Sequence, residues 1–423
     1  MKLLLIILTV IVTSFFYFPF EFTFLRGINT KLMLAGLGIP MMIFHIIKMD
    51  RTILSKEILI ASVIALVFSM IGFYSVDTNN SSDYAYATYI MSMWVWLSAA
   101  YSVCTLMARI HGKLSVPLII NYLVAVCLLQ CVLALVIDFV PAVKFFVDRY
   151  FTNGITDFLN KVERLYGIGA TLDVAGVRFS AVLLMIAVLL SQDETIRHKP
   201  KTVALYILCF LLISAIGNMI SRTTLLGMIG GMMYLFLTTD FFSPTIKYAN
   251  LKLWGTICLT LVAVFFIGVY FYQTNVQLRE LLRFGFEGFF NWVEKGEWRT
   301  DSTDRLNGTM WVWPEPNDTK TWLIGKATFS DWFAVGTDIG YCRFVFYSGL
   351  LGLFTFTVFF AYLSVALAYR FARFKHLFVL FFLLLLVNWL KVSTDIFIAY
   401  APFLAMGSPY LYEQYYSESE LLA

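Results

Sequence analysis

Arginine, aspartate and tryptophan side chains, which suit the binding of phosphate and sugar groups, gather in a few short stretches of the sequence. The densest of these holds Arg299, Asp304, Arg305, Trp311 and Trp313. Guanidinium groups form paired hydrogen bonds with phosphate oxygens, and tryptophan faces pack against the apolar faces of sugar rings. Tryptophans near a bilayer also serve as interfacial anchors. Arg305 is therefore the first candidate here for a functional role, with Arg299 and Trp311 as candidates for substrate binding.

Another arginine, Arg222, lies in the short sequence Ser-Arg-Thr-Thr between two apolar runs. These runs leave almost no room for a loop, so the guanidinium is predicted at the membrane boundary, next to the start of a helix. Helix N-termini, hydroxyl groups and arginine all favour a bound anion. An arginine that only snorkels to the interface is the alternative. Arg222 is a candidate for phosphate binding.

A third stretch begins at Arg164 and ends at Arg178, with glycines between them. Glycine lets a backbone come close to a ligand or to another helix. Both arginines are candidates for substrate contacts, and a loop folded back and held by an arginine–aspartate pair fits the sequence equally well. Just before it, residues 144–165 alternate aromatic and charged side chains, which predicts an amphipathic helix on the membrane surface.

The most specific stretch contains Asp338, Tyr341 and Arg343 and leads into an apolar run that carries Gly349 and Gly352. A carboxylate in this position, close to cationic neighbours, could accept the proton of an attacking hydroxyl group. Asp338 is therefore a candidate base, and Tyr341 and Arg343 are candidates for substrate binding. Asp338 is also a candidate N-cap for a helix that starts near Tyr341, and the two roles are compatible.

The elements that must position these residues are membrane helices. The chain of 423 residues is 60% hydrophobic and only 14% charged, and so much apolar surface cannot be hidden in one soluble core. Apolar runs of about 16 to 25 residues, the length that spans a bilayer, follow one another along the chain. The sequence predicts an all-α polytopic membrane protein with about twelve transmembrane helices. The runs lie near residues 3–20, 32–47, 57–75, 84–108, 116–137, 177–191, 202–220, 223–238, 251–272, 344–369, 377–391 and 395–410.

Lysine and arginine in short loops predict the orientation, because such residues are retained in the cytoplasm. They alternate along the chain if both termini are cytoplasmic. The chain is then one integral membrane domain, 1–423, with two long outside loops, 138–176 and 273–343. The basic residues on the predicted cytoplasmic side are Lys48, Arg51, Lys56, Arg109, Lys113, Arg197, Lys199, Lys201, Lys247, Lys252, Arg370, Arg373 and Lys375.

Two regions call for more detail than spans and loops. In the larger outside loop, apolar residues recur at helical spacing from Gln277 to Trp298, which predicts one or two amphipathic helices on the membrane surface. The last apolar run is interrupted by Pro402, Gly407 and Pro409, which predicts a broken or re-entrant segment.

Several kinds of chemistry are excluded by the same reading. The net charge of +4 comes without a basic stripe, so no nucleic-acid partner is expected. The histidines all fall in spans or on the cytoplasmic side, so neither a histidine base nor a histidine-ligated metal is expected outside. The cysteines lie nearly all in predicted spans, where they act as small apolar residues. Phosphate-binding loops and dinucleotide motifs are missing, so no cofactor is expected.

The stretch around Asp338 resembles bacterial polymerases and ligases of lipid-linked glycans, namely the Wzy-type polymerases of O-antigen or capsule and the related O-antigen ligases. In that group a large penultimate periplasmic loop ends in a polar motif, followed by a span that begins with Gly-x-x-Gly, here Gly349 and Gly352. Ligases carry a histidine where this chain has Asp338 and an amide or hydroxyl residue where it has Ile339. These departures favour a polymerase or another relative over a ligase. The resemblance also covers Arg222 in its short junction, and Arg305 followed by Trp311.

The resemblance implies a membrane glycosyltransferase with GT-C-like architecture in the bacterial inner membrane. The implied reaction transfers a glycan from undecaprenyl pyrophosphate to a sugar hydroxyl of another lipid-linked unit at the periplasmic face, without nucleotide sugar or metal. In it, Asp338 would be the base, and arginines, chiefly Arg222 and Arg305, would stabilise the leaving pyrophosphate. The product would be O-antigen, capsule or exopolysaccharide, and a chain-length regulator is an expected partner.

Other functions fit part of the sequence. A ligase-type glycan transferase would use the same donor. A flippase for lipid-linked oligosaccharides would also need many spans and a cationic cavity, but the chain has no internal repeat and few charges inside its spans. A non-catalytic assembly protein is a further alternative.

Overall fold

Helices make up nearly all of the regular structure in the computed structural model. The structure describes residues 2–49, 54–152, 164–239, 241 and 248–416; Arg51 and Lys247 of the predicted cytoplasmic clusters lie outside this part. The helices are α1 Lys2–Tyr17, α2 Thr30–Met49, α3 Lys56–Thr78, α4 Tyr89–His111, α5 Val116–Phe139, α6 Pro141–Tyr150, α7 Leu172–Gln192, α8 Glu194–Arg197, α9 Pro200–Ile220, α10 Thr224–Thr238, α11 Tyr248–Thr274, α12 Val276–Gly285, α13 Glu287–Lys295, α14 Asp301–Gly308, α15 Thr319–Ile324, α16 Trp332–Val335, α17 Gly340–Arg370, α18 Lys375–Asn388, α19 Phe397–Met406 and α20 Pro409–Tyr415.

Eight helices of the described chain are long and apolar enough to cross a membrane, namely α2, α3, α4, α5, α7, α9, α11 and α17. The fold is therefore that of an all-α polytopic membrane protein, as predicted. Each of the other four apolar runs also contains a helix, but α1, α10, α18 and α19 have only 16, 15, 14 and 10 residues. Twelve spans and a GT-C-like architecture stay predictions.

The last apolar run is broken, as its prolines and glycine predict. The ten residues of α19 extend only about 15 Å at 1.5 Å per residue, half of a hydrocarbon core of about 30 Å. All of its residues are buried, and α20 starts after an interruption at Gly407 and Ser408. This segment belongs to the protein core.

The chain divides into two compact units, which are described separately. The first consists of Met1–Leu34, Leu106–Trp298 and Tyr416–Ala423, and the second of Ala35–Thr105 and Arg299–Tyr415. The division concerns packing within the chain, and the single integral membrane domain stays a prediction.

The central helix of the first unit is α7, whose side chains are almost all buried from Ala175 onward. Helix α10 packs against it at Gly227, where a Cβ atom would overlap the backbone of Ser180. The N–H of Gly227 donates to Ser180 Oγ at 3.0 Å, and that hydroxyl donates to the carbonyl of Thr223 at 2.9 Å. The junction between α9 and α10, which carries Arg222, is thus fixed to α7.

The prediction of an amphipathic helix over residues 144–165 is only partly right. Helix α6 ends at Tyr150, and Phe151–Thr152 forms an antiparallel strand pair with Glu21–Phe22. Phe151 packs its ring 5.2 Å from that of Phe20, so the strand pair and this contact replace helical structure there. Residues 153–163 lie outside the described part. In the larger loop, α12 and α13 lie where one or two helices are predicted.

The longest helix of the second unit, α17, contains a break at Gly349, where φ is +65° and ψ is −171°. Near this break the carbonyls of Phe346 and Tyr347 accept the N–H groups of Lys326 and Ala327, at 2.6 and 3.0 Å. Helix α15 comes so close that a Cβ atom on Gly349 would overlap the Leu323 carbonyl group. The glycine therefore holds part of the large loop against a membrane helix.

We expect Gly349→Ala to destabilise the protein. This combination of positive φ and extended ψ is adopted almost only by glycine and costs another residue about 1–3 kcal/mol, and the Cβ atom of alanine would also overlap Leu323. The control is Gly255→Ala inside α11, where a Cβ atom meets nothing within 4 Å. The midpoint of thermal unfolding in detergent should fall by a few degrees for Gly349→Ala and should not fall for the control. Equal midpoints would contradict the role of this glycine.

Candidate functional site

In the first unit, Arg164 and Arg222 meet over one aromatic ring. The guanidinium carbon of Arg222 lies 4.5 Å from the ring centroid of Phe284, and that of Arg164 lies 5.3 Å from it. Arg222 also forms an ion pair with Glu287, and the two side chains are only 20% and 24% exposed. We refer to Arg164, Arg222, Phe284 and Glu287 as the arginine cluster.

The position of Arg222 is fixed from two sides. The carboxylate of Asp173, in the first turn of α7, accepts hydrogen bonds from the hydroxyl groups of Ser221 at 2.9 Å and Thr223 at 2.6 Å. The guanidinium is held by Phe284 on α12 and by Glu287 on α13. Both ends of this long side chain are thus anchored, which limits the conformational freedom that a bound anion would have to remove.

Buried polar groups adjoin the same junction. The side-chain atoms Thr224 Oγ1 and Asn218 Oδ1 are fully buried and have no hydrogen-bond partner among the described residues. Thr224 is the first residue of α10, and the positive end of the helix dipole favours an anion there. The surroundings of Arg222 therefore keep unused hydrogen-bonding capacity.

Arg178 lies elsewhere in the first unit. Its guanidinium carbon is 5.6 Å from the ring centroid of Phe18, and its carbonyl accepts from the hydroxyl of Tyr17 at 3.0 Å. The ring that it contacts differs from the one shared by Arg164 and Arg222. Its predicted contact with substrate stays a prediction.

In the second unit, Asp338 is exposed and its Oδ1 atom accepts the indole N–H of Trp332 at 2.8 Å. The proposed N-cap role of Asp338 is wrong. Helix α17 begins at Gly340 and Ile339 occupies the N-cap position without a side-chain hydrogen bond. The carboxylate is drawn to the indole of the preceding helix α16, which leaves its second oxygen accessible for other chemistry.

Arg343, one turn into α17, provides a cation near this carboxylate. Its guanidinium carbon lies 4.6 Å from the ring centroid of Phe329 and it donates to the Phe329 carbonyl. It interacts electrostatically with Asp338 and with Asp83. The arginine is half-buried, so its charge is less screened than that of an exposed side chain.

Asp83 anchors the loop that carries Phe329. Its carboxylate accepts the N–H groups of Phe329 at 2.7 Å and Ser330 at 2.5 Å, and the Ser330 hydroxyl at 2.8 Å. Partial burial opposes ionisation, but these hydrogen bonds outweigh it, so the pKa of Asp83 lies below its usual value. We refer to Asp83, Asp338, Arg343 and Trp332 as the carboxylate cluster.

Sequence reasoning missed two acidic residues of this region. Asp83 lies in the loop between α3 and α4, and Asp395 lies in the turn between α18 and α19. Asp395 accepts the N–H of Phe397 at 2.9 Å and interacts electrostatically with Tyr86, whose ring centroid is 4.7 Å from that of Phe329. The short polar segment between two apolar runs, Lys-Val-Ser-Thr-Asp, was the available signal.

Of the remaining candidates in the second unit, Tyr341, Arg299 and Trp311 make contacts within the protein. Tyr341 donates its hydroxyl to the Leu386 carbonyl at 2.8 Å. Arg299 pairs with Asp304 at 2.7 Å in an exposed position. Arg305 is exposed on α14, and its side chain forms no hydrogen bond or ion pair with the part of the chain that the structure describes. Trp311 stacks against a neighbouring tryptophan.

The three predicted catalytic residues are divided between the units, with Arg222 in the first and Arg305 and Asp338 in the second. Their assembly into one catalytic site stays a prediction. Among the residues that the structure describes, no group of three or more metal-ligating side chains comes together.

Comparisons of the chain with models of known protein families, with curated proteins and with solved structures each found no match. The resemblance to glycan polymerases rests on the residues quoted for it.

We expect Asp83→Ala to release the loop at Phe329 and Ser330. A hydrogen bond to a charged group contributes about 1.5 kcal/mol or more, so hydrogen exchange of these amides should become about tenfold faster. The control is Asp77→Ala, because Asp77 is exposed at the end of α3 and its side chain has no partner among the described residues. Mass spectrometry of exchanged peptides at pH 7 measures the effect, and unchanged exchange would contradict it.

The same anchor has a defined pH dependence. Because the pKa of Asp83 is lowered in the folded protein, its contribution to stability is fully present above the pKa of an unfolded aspartate, about 3.9. It is lost as the pH falls through the lower folded value. Protection of the Phe329 and Ser330 amides, corrected for intrinsic exchange, should therefore be constant between about pH 5 and 7.

Proposed function

We propose that the chain is a polymerase which joins oligosaccharide units, carried on undecaprenyl pyrophosphate, into a long surface polysaccharide at the periplasmic face of the inner membrane. The donor is a growing glycan on its lipid pyrophosphate. The acceptor is a sugar hydroxyl group of another lipid-linked unit. The product is O-antigen, capsule or exopolysaccharide.

The observation that carries the proposal is the arginine cluster. Two guanidinium groups lie within about 5 Å of one ring centroid, although like charges repel at short distance. Arginine forks match the oxygens of a phosphate, and two arginines next to one ring suit the two phosphates of a pyrophosphate. A bound diphosphate would offset the repulsion between the two cations, and the unpaired hydroxyl of Thr224 lies at the same junction.

The reaction requires a base for the acceptor hydroxyl group and cations that stabilise the leaving pyrophosphate. The acceptor oxygen attacks the anomeric carbon of the donor, the bond from that carbon to the pyrophosphate oxygen breaks, and the hydroxyl proton passes to a base. Asp338, exposed and held by Trp332, is the proposed base. Arg222, assisted by Arg164 and Arg305, stabilises the charge that grows on the leaving pyrophosphate, which is the task that fixed cations perform best.

Two neighbours act on the carboxylate of Asp338. The Trp332 indole N–H donates a hydrogen bond to it, and Arg343 interacts with it electrostatically. Arg343 and Arg178 are proposed as further contacts for donor or acceptor phosphate. The alternatives, a ligase-type transferase and a flippase, lack an observation of their own.

The test is the length of surface glycan on a gel from a strain that lacks the gene and carries one variant at a time. Asp338→Asn and Arg222→Ala are each expected to leave single units, because a lost base or a lost cation lowers such rates about a hundredfold or more. Arg222→Lys keeps the charge but loses the fork, so we expect short chains. Membrane levels are measured for each variant.

The matched control for Arg222 is Arg283→Ala. Arg283 also lies over a phenylalanine ring, at 5.1 Å from Phe290, and pairs with Glu294 at 2.7 Å, but it is outside the arginine cluster. Asp77→Asn is the control for Asp338. Both controls should give full-length chains. Normal chains from the test variants would make these residues structural, and units trapped on the cytoplasmic side would indicate a flippase.

A further inference from the structure

Three tryptophans of the second unit stack in a row. The ring centroids of Trp311 and Trp313 are 5.8 Å apart at an interplanar angle of 29°, and those of Trp313 and Trp322 are 5.9 Å apart at 17°. We refer to Trp311, Trp313 and Trp322 as the tryptophan ladder. It brings together residues from the turn after α14 and from helix α15.

The rings are offset and partly open. Carbon atoms in contact lie about 3.5–4.0 Å apart, so centroids nearly 6 Å apart mean that neighbouring rings are displaced sideways and leave part of each face uncovered. Trp311 and Trp313 are each 42% exposed. Tryptophans that served only to pack the loop would be buried by other side chains, because a buried indole stabilises a fold through its large apolar contact area.

The ladder is held rigidly. The indole N–H of Trp322 donates to the Glu315 carbonyl at 3.1 Å, and Asp318 caps α15 by accepting the N–H of Thr321 at 3.1 Å. At its other end, α15 is docked against α17 through the close contact at Gly349. Sites on such fixed elements bind with little loss of conformational freedom.

The surroundings of the ladder are polar. Glu315 and Lys320 are exposed and lie within two residues of Trp313 and Trp322 in the sequence, and Asp318 pairs with Lys326 at 3.4 Å. Hydrogen bonds from the hydroxyl and N–H of Thr321 hold the pKa of Asp318 below its usual value, so it stays charged at neutral pH. Ionised groups are costly in hydrocarbon, so this surface is not suited to lipid tails.

We infer that the tryptophan ladder is a platform for a sugar chain. A pyranose ring has an apolar face of C–H groups and a rim of hydroxyl groups, which matches exposed indole faces on a segment that also carries charged side chains. The stepped rings offer successive faces to successive sugars. That the bound sugar chain is the growing glycan rests on the proposed function. That the ladder binds sugar does not.

The test uses the full-length protein in lipid nanodiscs on a printed array of oligosaccharides from bacterial, fungal and plant polysaccharides. The wild type should be retained by at least one glycan class. Trp313→Ala removes the central ring and both stacking contacts, so its apparent affinity for that class should fall about tenfold, which corresponds to about 1.4 kcal/mol. Trp313→Phe should fall between the two.

The control is Trp292→Ala, because Trp292 is 54% exposed on α13 and lies outside the ladder and both clusters; it should bind like the wild type. Unfolding midpoints exclude a folding defect, and Trp313→Phe keeps the test valid if Trp313→Ala does not fold. The inference is overturned if the wild type binds no glycan. It is also overturned if Trp313→Ala binds as the wild type does. If Trp313→Ala does not fold, the same criterion applies to Trp313→Phe.

Chain length in the complemented strain separates the two proposals. If binding on the array depends on Trp313 but the deletion strain still makes long glycans, the platform stands and the polymerase is wrong. If Asp338→Asn abolishes polymer while Trp313→Ala binds sugars normally, the polymerase stands and the platform is wrong. If both depend on these residues, the ladder holds the chain that the polymerase extends.

Discussion

The contact between α15 and α17 at Gly349 is the constraint on which the second unit depends. A residue with a side chain would be strained at a φ of +65° and would overlap Leu323. With glycine there, the carbonyls of Phe346 and Tyr347 accept N–H groups of the loop, and α15 lies directly against the helix. Two consequences follow from this docking. The tryptophan ladder gains a fixed base, and the loop at Phe329 reaches Asp83 and lies beneath Arg343.

Cation–π contacts between arginine and phenylalanine recur in the protein. Arg164 and Arg222 share Phe284, Arg178 lies on Phe18 and Arg343 on Phe329. An aromatic face attracts a cation without neutralising its charge. In the arginine cluster, Glu287 is a carboxylate partner of Arg222. The aromatic contacts hold these guanidinium groups at defined positions.

Much of the fold could be predicted because membrane helices are specified by local composition. Apolar runs of bilayer length identified the helices, and the prolines and glycine near residue 402 predicted the break after α19. Tertiary pairing was not predictable in the same way. Phe151 was assigned to a helix, yet it forms a strand with Phe22, because its neighbours alternate in a pattern that fits either structure. Besides its proposed role as a base, Asp338 is a candidate helix cap from the sequence, yet its carboxylate accepts the indole N–H of Trp332, six residues earlier, and Ile339 occupies the N-cap position.

By itself, the sequence determined the all-α membrane class and pointed to Arg222, Arg164, Asp338 and Trp311, because residue type and hydrophobic length are local properties. Only the tertiary structure decided which of these residues meet. Phe284 brings Arg164 and Arg222 together over a separation of 58 positions in the chain, and the docking of α15 adds Trp322 to Trp311 and Trp313. Such meetings depend on how helices pack, and packing is set by close contacts such as those at Gly227 and Gly349, whose partners lie far away in the sequence.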